Sequence, residues 1–574
     1  MSAVETIKLN SHGLKGSLPL QLVEPTPQFN EEGKQLLKFH GIYQQTNRDV
    51  RGRQNQQFSF MIRSRLPGGK LTAEQYLVHD AIADTFGQGD LRLTTRQAIQ
   101  LHGIIKSDLR PTLKKLNEAL VTTLNACGDV NRNVMACPAP FGDPIRQQLQ
   151  EYADKIAAHL SPRTTAYHEI WLQDDNGQSV KQTFETEEVV EPIYGKVYLP
   201  RKFKIALAFA GDNCTDIFTN DIGLVGLSNE ANQTVHGFNV YVGGGLALTH
   251  TKEQTLSLLA QPLGYVPAAQ MIDVVEKIVL VQRDFGDRTD RRHARMKYLV
   301  NDWGIETFRA KVEAYLGYDI AAIQPMPALD ADDHLGWHEQ LDGHWFYGLF
   351  VENGRVKDVG KRQIRSGLRA IISQFKPNVI LTGQQNIIMS GFTTAQKAEV
   401  NRLMLFYGLQ TIDTISNIRR YAMACPALPT CSLAVSEAER VLPRLIDEIE
   451  QDMAALGLAN ERINLRMTGC PNGCARPFVA DIGIVGRSGT KYNLSLGGNI
   501  EGTRLNTVYK ELVEFGDLRG EIYRVLAAYQ GHAEPQERLG DWVNRVGLAQ
   551  VSHLAEQVHY SLELPLQASI PVLV

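Results

Sequence analysis

The sequence predicts an α+β protein made of two related halves that pack around a pseudo-twofold axis. Residues 379–391 repeat residues 91–103 at an offset of 288, and Met135-Ala-Cys137-Pro-Ala139 returns at that offset as Met423-Ala-Cys425-Pro-Ala427. Further along, residues 480–486 resemble residues 220–226. Three matches in the same order indicate an internal duplication whose period is too long for a solenoid. Two α+β halves with a site between them are the expected architecture.

Residues 1 to about 55 are predicted to form a polar, extended lead-in whose anchored part is Phe39-His-Gly41-Ile-Tyr43. The predicted elements then follow in chain order: a strand at 58–66, a turn at Pro67-Gly68-Gly69, a helix from a Thr72-x-x-Gln75 capping box to Gly87, a strand at 91–103 and a helix at 110–126. A helix opening at Thr393-x-x-Gln396 is the expected second copy of the last of these.

The composition is that of a globular protein with no bulk affinity for polyanions. The 574 residues include 59 basic and 63 acidic side chains, which give a net charge of −4. We find no run of about 18 apolar residues and no secretory signal pattern at the N-terminus, so we expect a cytoplasmic protein that does not contact a membrane. The cations lack interleaved aromatic residues, which disfavours nucleic acid as a partner.

Four of the seven cysteines form one C-x5-C pair, Cys425 and Cys431, and one C-x3-C pair, Cys470 and Cys474. Thiolates on loops rich in Pro and Gly are typical of iron–sulfur or zinc sites. The C-x5-C spacing is wider than the usual zinc spacing, which favours a four-cysteine [4Fe–4S] cluster over zinc, although spacing alone leaves zinc as an alternative. The other three cysteines are expected to be small buried hydrophobic residues: Cys127, Cys137 and Cys214.

The first half carries cations at strand spacing. Residues two apart on a strand share a face, so the side chains of each set should project together. The sets are Arg63 with Arg65, Arg92 with Thr94 and Arg96, and Lys202 with Lys204. Arg132 precedes the Met-Ala-Cys-Pro segment and should point to the same place. Because guanidinium groups bind carboxylates in a bidentate manner and lysine adds a compact charge, this face predicts a small anion or a polycarboxylate.

Nucleotide-binding motifs are absent from the sequence. There is no G-x-G-x-x-G after a predicted strand and no G-x-x-x-x-G-K-[ST]. If the protein is a redox enzyme, we expect its electrons to come from a partner.

Taken together, the motifs resemble the nitrite/sulfite reductase family of siroheme–[4Fe–4S] enzymes, and within it the assimilatory sulfite reductase hemoproteins. The likeness runs from about Phe39 to about Arg504. It rests on both cysteine loops and on four further segments: Arg63-Ser-Arg-Leu-Pro-Gly-Gly69, Arg92-Leu-Thr-Thr-Arg-Gln97, Asn131-Arg-Asn133 and Pro200-Arg-Lys-Phe-Lys204.

The resemblance implies a siroheme beside a [4Fe–4S] cluster. The implied cluster ligands are Cys425, Cys431, Cys470 and Cys474, of which Cys474 would also bridge to the siroheme iron. The implied residues around the substrate are Arg63, Arg132, Lys202 and Lys204, and those that hold the macrocycle are Arg92, Thr94, Arg96 and Gln100. Siroheme is a polycarboxylate, which agrees with the cationic face.

The resemblance also implies the duplicated nitrite/sulfite reductase fold, with ferredoxin-like half-domains related by a pseudo-twofold axis. The expected division is an N-terminal extension at 1–57, a first half-domain at 58–126 that pairs with a second copy at 327–410, a siroheme and substrate domain at 127–326, and a cluster domain at 411–574.

The implied activity is the six-electron reduction of sulfite to sulfide in sulfate assimilation and cysteine biosynthesis. The implied electron donor is a flavoprotein reductase with FAD and FMN that oxidises NADPH. Nitrite reduction and a ferredoxin donor are the alternatives within the family, and a lysine at both 202 and 204 favours sulfite. A non-catalytic zinc or iron–sulfur protein that binds a partner through its basic face is the alternative outside it.

Overall fold

The computed structural model describes residues 2–50, 57–164, 170–173, 178–182, 190–229, 233–249 and 255–560. The helices of these residues are α1 Ala3–Leu9, α2 Leu18–Val23, α3 Glu31–Leu37, α4 Ala73–Thr85, α5 Leu109–Glu118, α6 Pro144–His159, α7 Met271–Phe285, α8 Met296–Trp303, α9 Ile305–Leu316, α10 Ile364–Phe375, α11 Gln396–Phe406, α12 Asn417–Arg420, α13 Leu442–Ala455, α14 Leu518–His532, α15 Leu539–Val546 and α16 Leu548–Glu556. In this part of the chain no helix is both long and apolar enough to span a membrane.

The strands of the described residues are β1 Ile42–Thr46, β2 Phe58–Arg63, β3 Lys70–Leu71, β4 Leu91–Leu93, β5 Ile99–Ile104, β6 Ile170–Gln173, β7 Ser179–Gln182, β8 Ile205–Phe209, β9 Ile222–Asn229, β10 Thr234–Val242, β11 Gln261–Pro267, β12 Gly336–Glu339, β13 Trp345–Leu349, β14 Arg355–Val356, β15 Asp358–Val359, β16 Arg362–Gln363, β17 Asn378–Leu381, β18 Ile387–Phe392, β19 Met423–Ala424, β20 Leu465–Thr468, β21 Ile482–Ser488, β22 Lys491–Leu496 and β23 Thr507–Glu514.

Two five-stranded sheets form the duplicated centre, and each gives the other an edge strand. Their strand orders are β1-β2-β5-β4-β14 and β12-β13-β18-β17-β3. β3 comes from the first copy and pairs antiparallel with β17 of the second, while β14 comes from the second copy and pairs antiparallel with β4 of the first. Because each exchanged strand completes the other sheet, the two copies interlock. The predicted duplicated α+β class is confirmed.

Two further sheets repeat one pattern and carry the loops of the site. In the first, β8 runs parallel to β9, which continues antiparallel through β10 and β11. In the second, β19, β20 and β21 are parallel, and β22 and β23 follow antiparallel. A loop of matching position links β8 to β9 and β20 to β21, so each copy presents one loop toward the middle of the molecule.

The predicted extended lead-in is wrong, because the described part of residues 1–57 contains three helices and β1. Asn30 caps α3 by accepting a hydrogen bond from the Gly33 N–H at 2.8 Å. Leu14, Leu36 and Phe39 are almost fully buried in the main hydrophobic core. The helices are short and many of the residues between the buried ones are polar, so the sequence shows no clear helical periodicity here. Residues 51–56, and residues 561–574 of the last predicted domain, lie outside the described residues.

The capping box at Thr72 and Gln75 is confirmed, and α4 begins beside it. Other boundaries differ from the prediction. The predicted strand at 91–103 is a hairpin, in which β4 and β5 pair antiparallel around a turn, and the helix predicted at 110–126 ends at Glu118. Arg65 lies beyond the end of β2 and donates to Ser161 Oγ at 2.6 Å, so it does not project together with Arg63. Lys202 and Lys204 precede β8 rather than lie in a strand.

The helices α4 and α10, which occupy equivalent places in the two copies, are joined by a buried ion pair. Arg365 Nε donates to Asp80 Oδ1 at 2.6 Å, and the same guanidinium bonds Asp84 Oδ1 at 2.6 Å and the Gly89 carbonyl at 2.7 Å. The Asp80 side chain is 3% exposed and that of Arg365 is 8% exposed. Both charges are therefore desolvated, and the stability of this contact depends on their keeping each other as partners.

Replacing Asp80 by Ala should lower the free energy of unfolding by about 3 kcal/mol, because the Arg365 charge would stay buried without its main partner. Urea unfolding followed by circular dichroism measures this change. Lys114→Ala is the control: Lys114 is 75% exposed and its pairing with Glu118 joins two surface residues on α5, so we expect a change below about 0.5 kcal/mol. Equal small effects in both variants would show that the pair does not hold the copies together.

Candidate functional site

The cysteine loops begin where two neighbouring strands end. β19 and β20 are parallel and in register, with Ala424 opposite Met467, so the residues after them emerge at the same sheet edge. Cys425 directly follows β19, and Gly469 and Cys470 follow β20. The Gly469 N–H points at the Cys425 sulfur with a nitrogen-to-sulfur distance of 3.4 Å. The parallel pairing therefore places Cys425 of the C-x5-C pair beside Cys470 of the C-x3-C pair.

The remaining two cysteines lie on the turns that continue these loops. The Cys431 N–H donates to the Ala427 carbonyl at 2.9 Å, which folds the C-x5-C segment back on itself. Cys474 is exposed, whereas Cys425 and Cys470 are buried. The Thr95 hydroxyl of the β4–β5 turn donates to the Cys474 carbonyl at 2.9 Å. This bond holds the Cys474 turn against the first copy.

The four thiols share one electrostatic environment. Burial, followed by the negative charge of Cys474, raises the pKa values of Cys425 and Cys431, and raises that of Cys470 to about 11. Thiolates gathered in this way repel one another and need positive charge between them. A metal centre supplies that charge and holds coordinating thiols deprotonated.

The spacing of the thiols distinguishes a site for an iron–sulfur cluster from a site for a single metal ion. Donor atoms around one tetrahedral zinc lie about 3.3–3.8 Å apart, given metal–ligand distances of about 2.0–2.3 Å. Among the residues that the structure describes, one group of His, Cys, Asp or Glu donors has all its atoms within 4.8 Å of one another, and it is not the four-cysteine set. The wider set leaves room for several irons, which favours the [4Fe–4S] prediction over zinc.

Next to Cys474 lies a cleft with strongly positive walls. Of the residues that line it, five are cationic and none is acidic. The cations are Arg96, Lys202, Lys204, Arg295 and Arg476, and Asn220, Asn472 and Cys474 are among the other lining residues. The structure therefore brings the Cys474 loop of the second copy onto the predicted cationic face of the first.

Lys202 and Lys204 have surroundings that favour an anion. Burial, then Arg132, lowers the pKa of Lys202 well below its usual value. Burial, then Lys202 itself, does the same to Lys204. Neither ammonium group makes a hydrogen bond or ion pair within the described part of the chain. Because these two lysines lie among other cations, their positive charge is balanced only when an anion binds.

Arg63 and Arg132 are not among the residues that line the cleft, but after burial the charges of both lower the pKa of Arg96, and that of Arg132 lowers the pKa of Lys202. Arg63 ends β2 opposite Gln100 of β5, and with the Gln100 amide turned over, its oxygen accepts from Arg63 Nε at 3.0 Å. The Arg63 guanidinium also donates to the Cys127 sulfur at 3.0 Å and lies 6.0 Å from the centre of the Tyr43 ring. Arg132 donates to the Gly128 carbonyl at 3.3 Å. These contacts orient both guanidinium groups without neutralising them.

The other predicted macrocycle contacts are engaged within the protein. Arg92 is fully buried, bonds the carboxylate of Glu439 and donates to the Ala424 carbonyl at 2.9 Å. The Thr94 hydroxyl accepts from the backbone N–H groups of residues 96 and 98, which shapes the β4–β5 turn. Arg96 donates to Asn220 Oδ1 at 2.7 Å, and burial lowers its pKa to about 9. Arg96 thus lines the cleft, while Arg92 binds Glu439 and the backbone of the strand that precedes Cys425.

Sequence reasoning missed several cleft residues. Arg476 donates to Asp216 Oδ2 at 2.5 Å and to the Thr95 carbonyl at 3.0 Å, and Arg295 pairs with Asp221 at 2.9 Å. Arg476 follows the C-x3-C motif by two residues, and that position was the available signal. Arg295 precedes the first residue of α8, far from any cysteine motif in the sequence, so no local pattern indicates it. Its role depends on the tertiary fold.

The same architecture is found in known proteins. A family model described as the nitrite and sulphite reductase 4Fe-4S domain matches residues 151–320 and 416–561, and one described as the nitrite/sulfite reductase ferredoxin-like half domain matches residues 52–119. The chain belongs to the nitrite/sulfite reductase family. Membership confirms the resemblance drawn from the motifs, and with it the ferredoxin-like half-domains and the [4Fe–4S] cofactor.

Family members of nearly the same length are similar to this chain throughout. "Sulfite reductase [ferredoxin]" of Synechococcus elongatus is 44% identical, with 98% of this chain and 92% of the relative covered. "Sulfite reductase [NADPH] hemoprotein beta-component" of Staphylococcus haemolyticus is 41% identical, with 97% of both covered, and that of Geobacillus kaustophilus is 42% identical, with 95% and 96% covered. The solved structure of Mycobacterium tuberculosis NirA protein shares the fold, with a TM-score of 0.72 and 23% identity over 91% of this chain and 92% of that one.

The residues present fit the two cofactors of the family, siroheme and a [4Fe–4S] cluster. The widely spaced thiols suit the cluster, and the cleft without carboxylates beside Cys474 suits a polycarboxylate macrocycle. Cys474 is the only one of the four cysteines that is exposed, and it lines the cleft. That position fits a thiolate shared between the two cofactors.

Cys474→Ser should lower the iron and acid-labile sulfide content of the purified protein about tenfold or more and remove its visible absorption, because serine is a poor ligand for iron–sulfur iron. Ser432→Ala, an exposed change beside Cys431, is the control and should leave both unchanged. A Cys474→Ser protein with the iron, sulfide and spectrum of the wild type would rule out the shared-ligand assignment.

Proposed function

We propose that this chain catalyses the six-electron reduction of sulfite to sulfide. The observation that carries the proposal is the cleft in which five cations and no carboxylate surround the position next to Cys474. Relatives named as sulfite reductases cover nearly the whole chain, which supports the same conclusion. In this proposal Cys425, Cys431, Cys470 and Cys474 bind the cluster.

The cofactors supply the electrons, and the chain supplies charge and protons. Arg63, Arg132, Lys202 and Lys204 would surround the sulfite oxygens. Sulfite carries more negative charge as electrons arrive and its S–O bonds break. Cations already held in place stabilise that charge without reorganisation, which is the largest contribution that a preorganised site can make. Arg96 and Gln100 would face the macrocycle.

Each broken S–O bond needs protons so that the oxygen leaves as water. The lowered pKa values of Lys202 and Lys204 make these ammonium groups stronger acids than ordinary lysines. A bound anion favours the charged form, so the lysines would be protonated when sulfite is present and could pass a proton to the oxygen that leaves. They can therefore act as general acids or as relays to water. The arginines keep their protons and act through charge alone.

The electrons would come from a separate protein. Relatives named for a ferredoxin donor and relatives named for an NADPH-dependent complex match the chain over nearly the same length. The flavoprotein predicted from the sequence and a ferredoxin are therefore the two donors to compare. Assays with reduced ferredoxin and with NADPH plus the flavoprotein subunit distinguish them, because the cognate donor should give the lower KM.

With reduced methyl viologen as a donor that bypasses any partner, kcat/KM for sulfite should exceed that for nitrite. The reason is the pair of lysines at 202 and 204, whose compact charges match the greater oxygen charge of sulfite. Steady-state kinetics with both substrates on the same preparation measure the ratio. A higher kcat/KM for nitrite would make the chain a nitrite reductase.

Lys204→Ala should keep both cofactors and lower kcat for sulfite by about a hundredfold, as the loss of one preorganised charge does in other sites. Visible spectra report cofactor content, and sulfide production reports turnover. Lys155→Ala removes an exposed lysine of α6 and should behave like the wild type. Wild-type turnover in Lys204→Ala would remove Lys204 from the substrate site.

A further inference from the structure

A second group of side chains that can bind a metal ion is drawn from both copies, and none of its members lines the cleft. It consists of Cys137, Asp212, Cys214 and His334, all buried, with one donor atom of each within 4.8 Å of every other. The two cysteines were expected to be small hydrophobic residues, and they are indeed 2% and 5% exposed. The carboxylate and imidazole beside them were not expected. An isolated ionised group is costly to bury without partners, so this combination needs an explanation.

The distances match those around one tetrahedral ion. The Cys137 sulfur lies 3.2 Å from Asp212 Oδ2 and 3.8 Å from His334 Nε2, and that nitrogen lies 3.7 Å from the same oxygen. Donors bound to one zinc at about 2.0–2.3 Å are separated by about 3.3–3.8 Å. The group is thus compact enough for a single ion, unlike the four-cysteine set.

The donors are held in place by contacts outside the group. The Cys214 N–H donates to Asp212 Oδ1 at 2.9 Å, which leaves Oδ2 facing Cys137 and His334. Asp332 Oδ2 lies 3.4 Å from His334 Nδ1, the ring nitrogen that points away from the group. A carboxylate behind a histidine is the usual arrangement for a metal ligand, because it orients the ring and increases its basicity.

The backbone also brings the distant segments together. The Asn213 N–H donates to the Asp330 carbonyl at 2.6 Å, and the Asp330 N–H donates to the Gly211 carbonyl at 3.0 Å. These bonds join the loop of Asp212 and Cys214 to the segment that leads into His334. Phe141 and Phe209 pack around the cysteines and complete a largely apolar shell. The site is closed, which is typical of structural rather than catalytic metal ions.

The internal duplication relates this group to the cluster site. Cys137 matches Cys425 at the offset of 288 residues. Cys214 precedes Cys474 by 260 residues, the same offset that relates the Asp-Ile-Gly of residues 221–223 to that of residues 481–483. Two of the four cluster cysteines therefore have counterparts in the first copy, and both counterparts belong to the new group. Asp212 and His334 complete the set, because the first copy has no cysteine at the positions that match Cys431 and Cys470.

We propose that Cys137, Asp212, Cys214 and His334 bind one structural divalent transition-metal ion, with zinc the best fit to two thiolates, one imidazole and one carboxylate. Zinc accepts this donor set and needs no redox partner. The ion would join residues 137 and 214 of the first copy to residue 334, which lies just before β12 of the second ferredoxin-like sheet. It would act as a fixed crosslink between the two copies.

Metal analysis of the holoenzyme, purified without chelators from cells grown with added zinc, should find about one zinc per chain in addition to iron. X-ray absorption at the zinc edge should show sulfur neighbours at about 2.3 Å and nitrogen or oxygen neighbours at about 2.0–2.1 Å. His334→Gln and Cys214→Ser should each lower zinc at least tenfold, with iron content and visible spectrum unchanged. His338→Gln is the control, because His338 Nε2–H instead donates to the Leu335 carbonyl at 2.9 Å and its ring stacks on Phe346.

Any one of four results would overturn the proposal. One is a holoenzyme with less than about a tenth of a divalent metal ion per chain beyond its iron. Another is unchanged zinc in both ligand variants, or a zinc-edge shell of four sulfurs, which would place zinc elsewhere. The last is a disulfide between Cys137 and Cys214 in mass spectra of the unreduced protein. The spectra and metal content of the wild type decide the question even if a variant does not fold.

Discussion

The arrangement of the site depends on one buried ion pair that spans the two copies. Asp216 belongs to the β8–β9 loop and Arg476 to the matching β20–β21 loop, and both adopt a left-handed backbone conformation. Arg476 Nε lies 2.5 Å from Asp216 Oδ2, and Arg466 NH1 lies 2.9 Å from the same oxygen. Arg476 also donates to the Thr95 and Gly383 carbonyls, which belong to equivalent turns of the two copies. This network sets the position of the Cys474 loop against the first copy.

This junction also explains why the cleft is cationic. Most acidic side chains near it already have partners: Asp216 binds Arg466 and Arg476, and Asp221 binds Arg295. Lys202 and Lys204 have no such partner within the described residues, and burial together with neighbouring cations lowers the pKa of both. The carboxylates near the cleft are thus paired with arginines, and the two lysines remain available to a ligand. Burial makes this positive charge effective, since little water is present to screen it.

The sequence predicted the fold class and the main parts of the site because these are local signals. Cysteine spacing, the capping box at Thr72 and the repeat at an offset of 288 residues can all be seen in short segments. The prediction was wrong where tertiary contacts decide. The N-terminal helices are stabilised by burial of Leu14 and Leu36 in a core that no local pattern reveals. The contact of Arg92 with the macrocycle stays a prediction; in the structure its guanidinium bonds Glu439, which lies far along the chain.

The duplication shows how one ancestral arrangement can support two different sites. Each copy places a cysteine two residues after a parallel pairing, Met135 with Ala206 and Met423 with Arg466, and another on the loop that follows a parallel strand. In the second copy the additional thiols Cys431 and Cys470 widen the set, and Cys474 is exposed to the cleft. In the first copy Asp212, together with His334 from the segment before β12, closes the set into a small buried group. We therefore expect the number and size of the added donors, rather than the backbone, to decide whether a set of thiols suits an iron–sulfur cluster or a single ion.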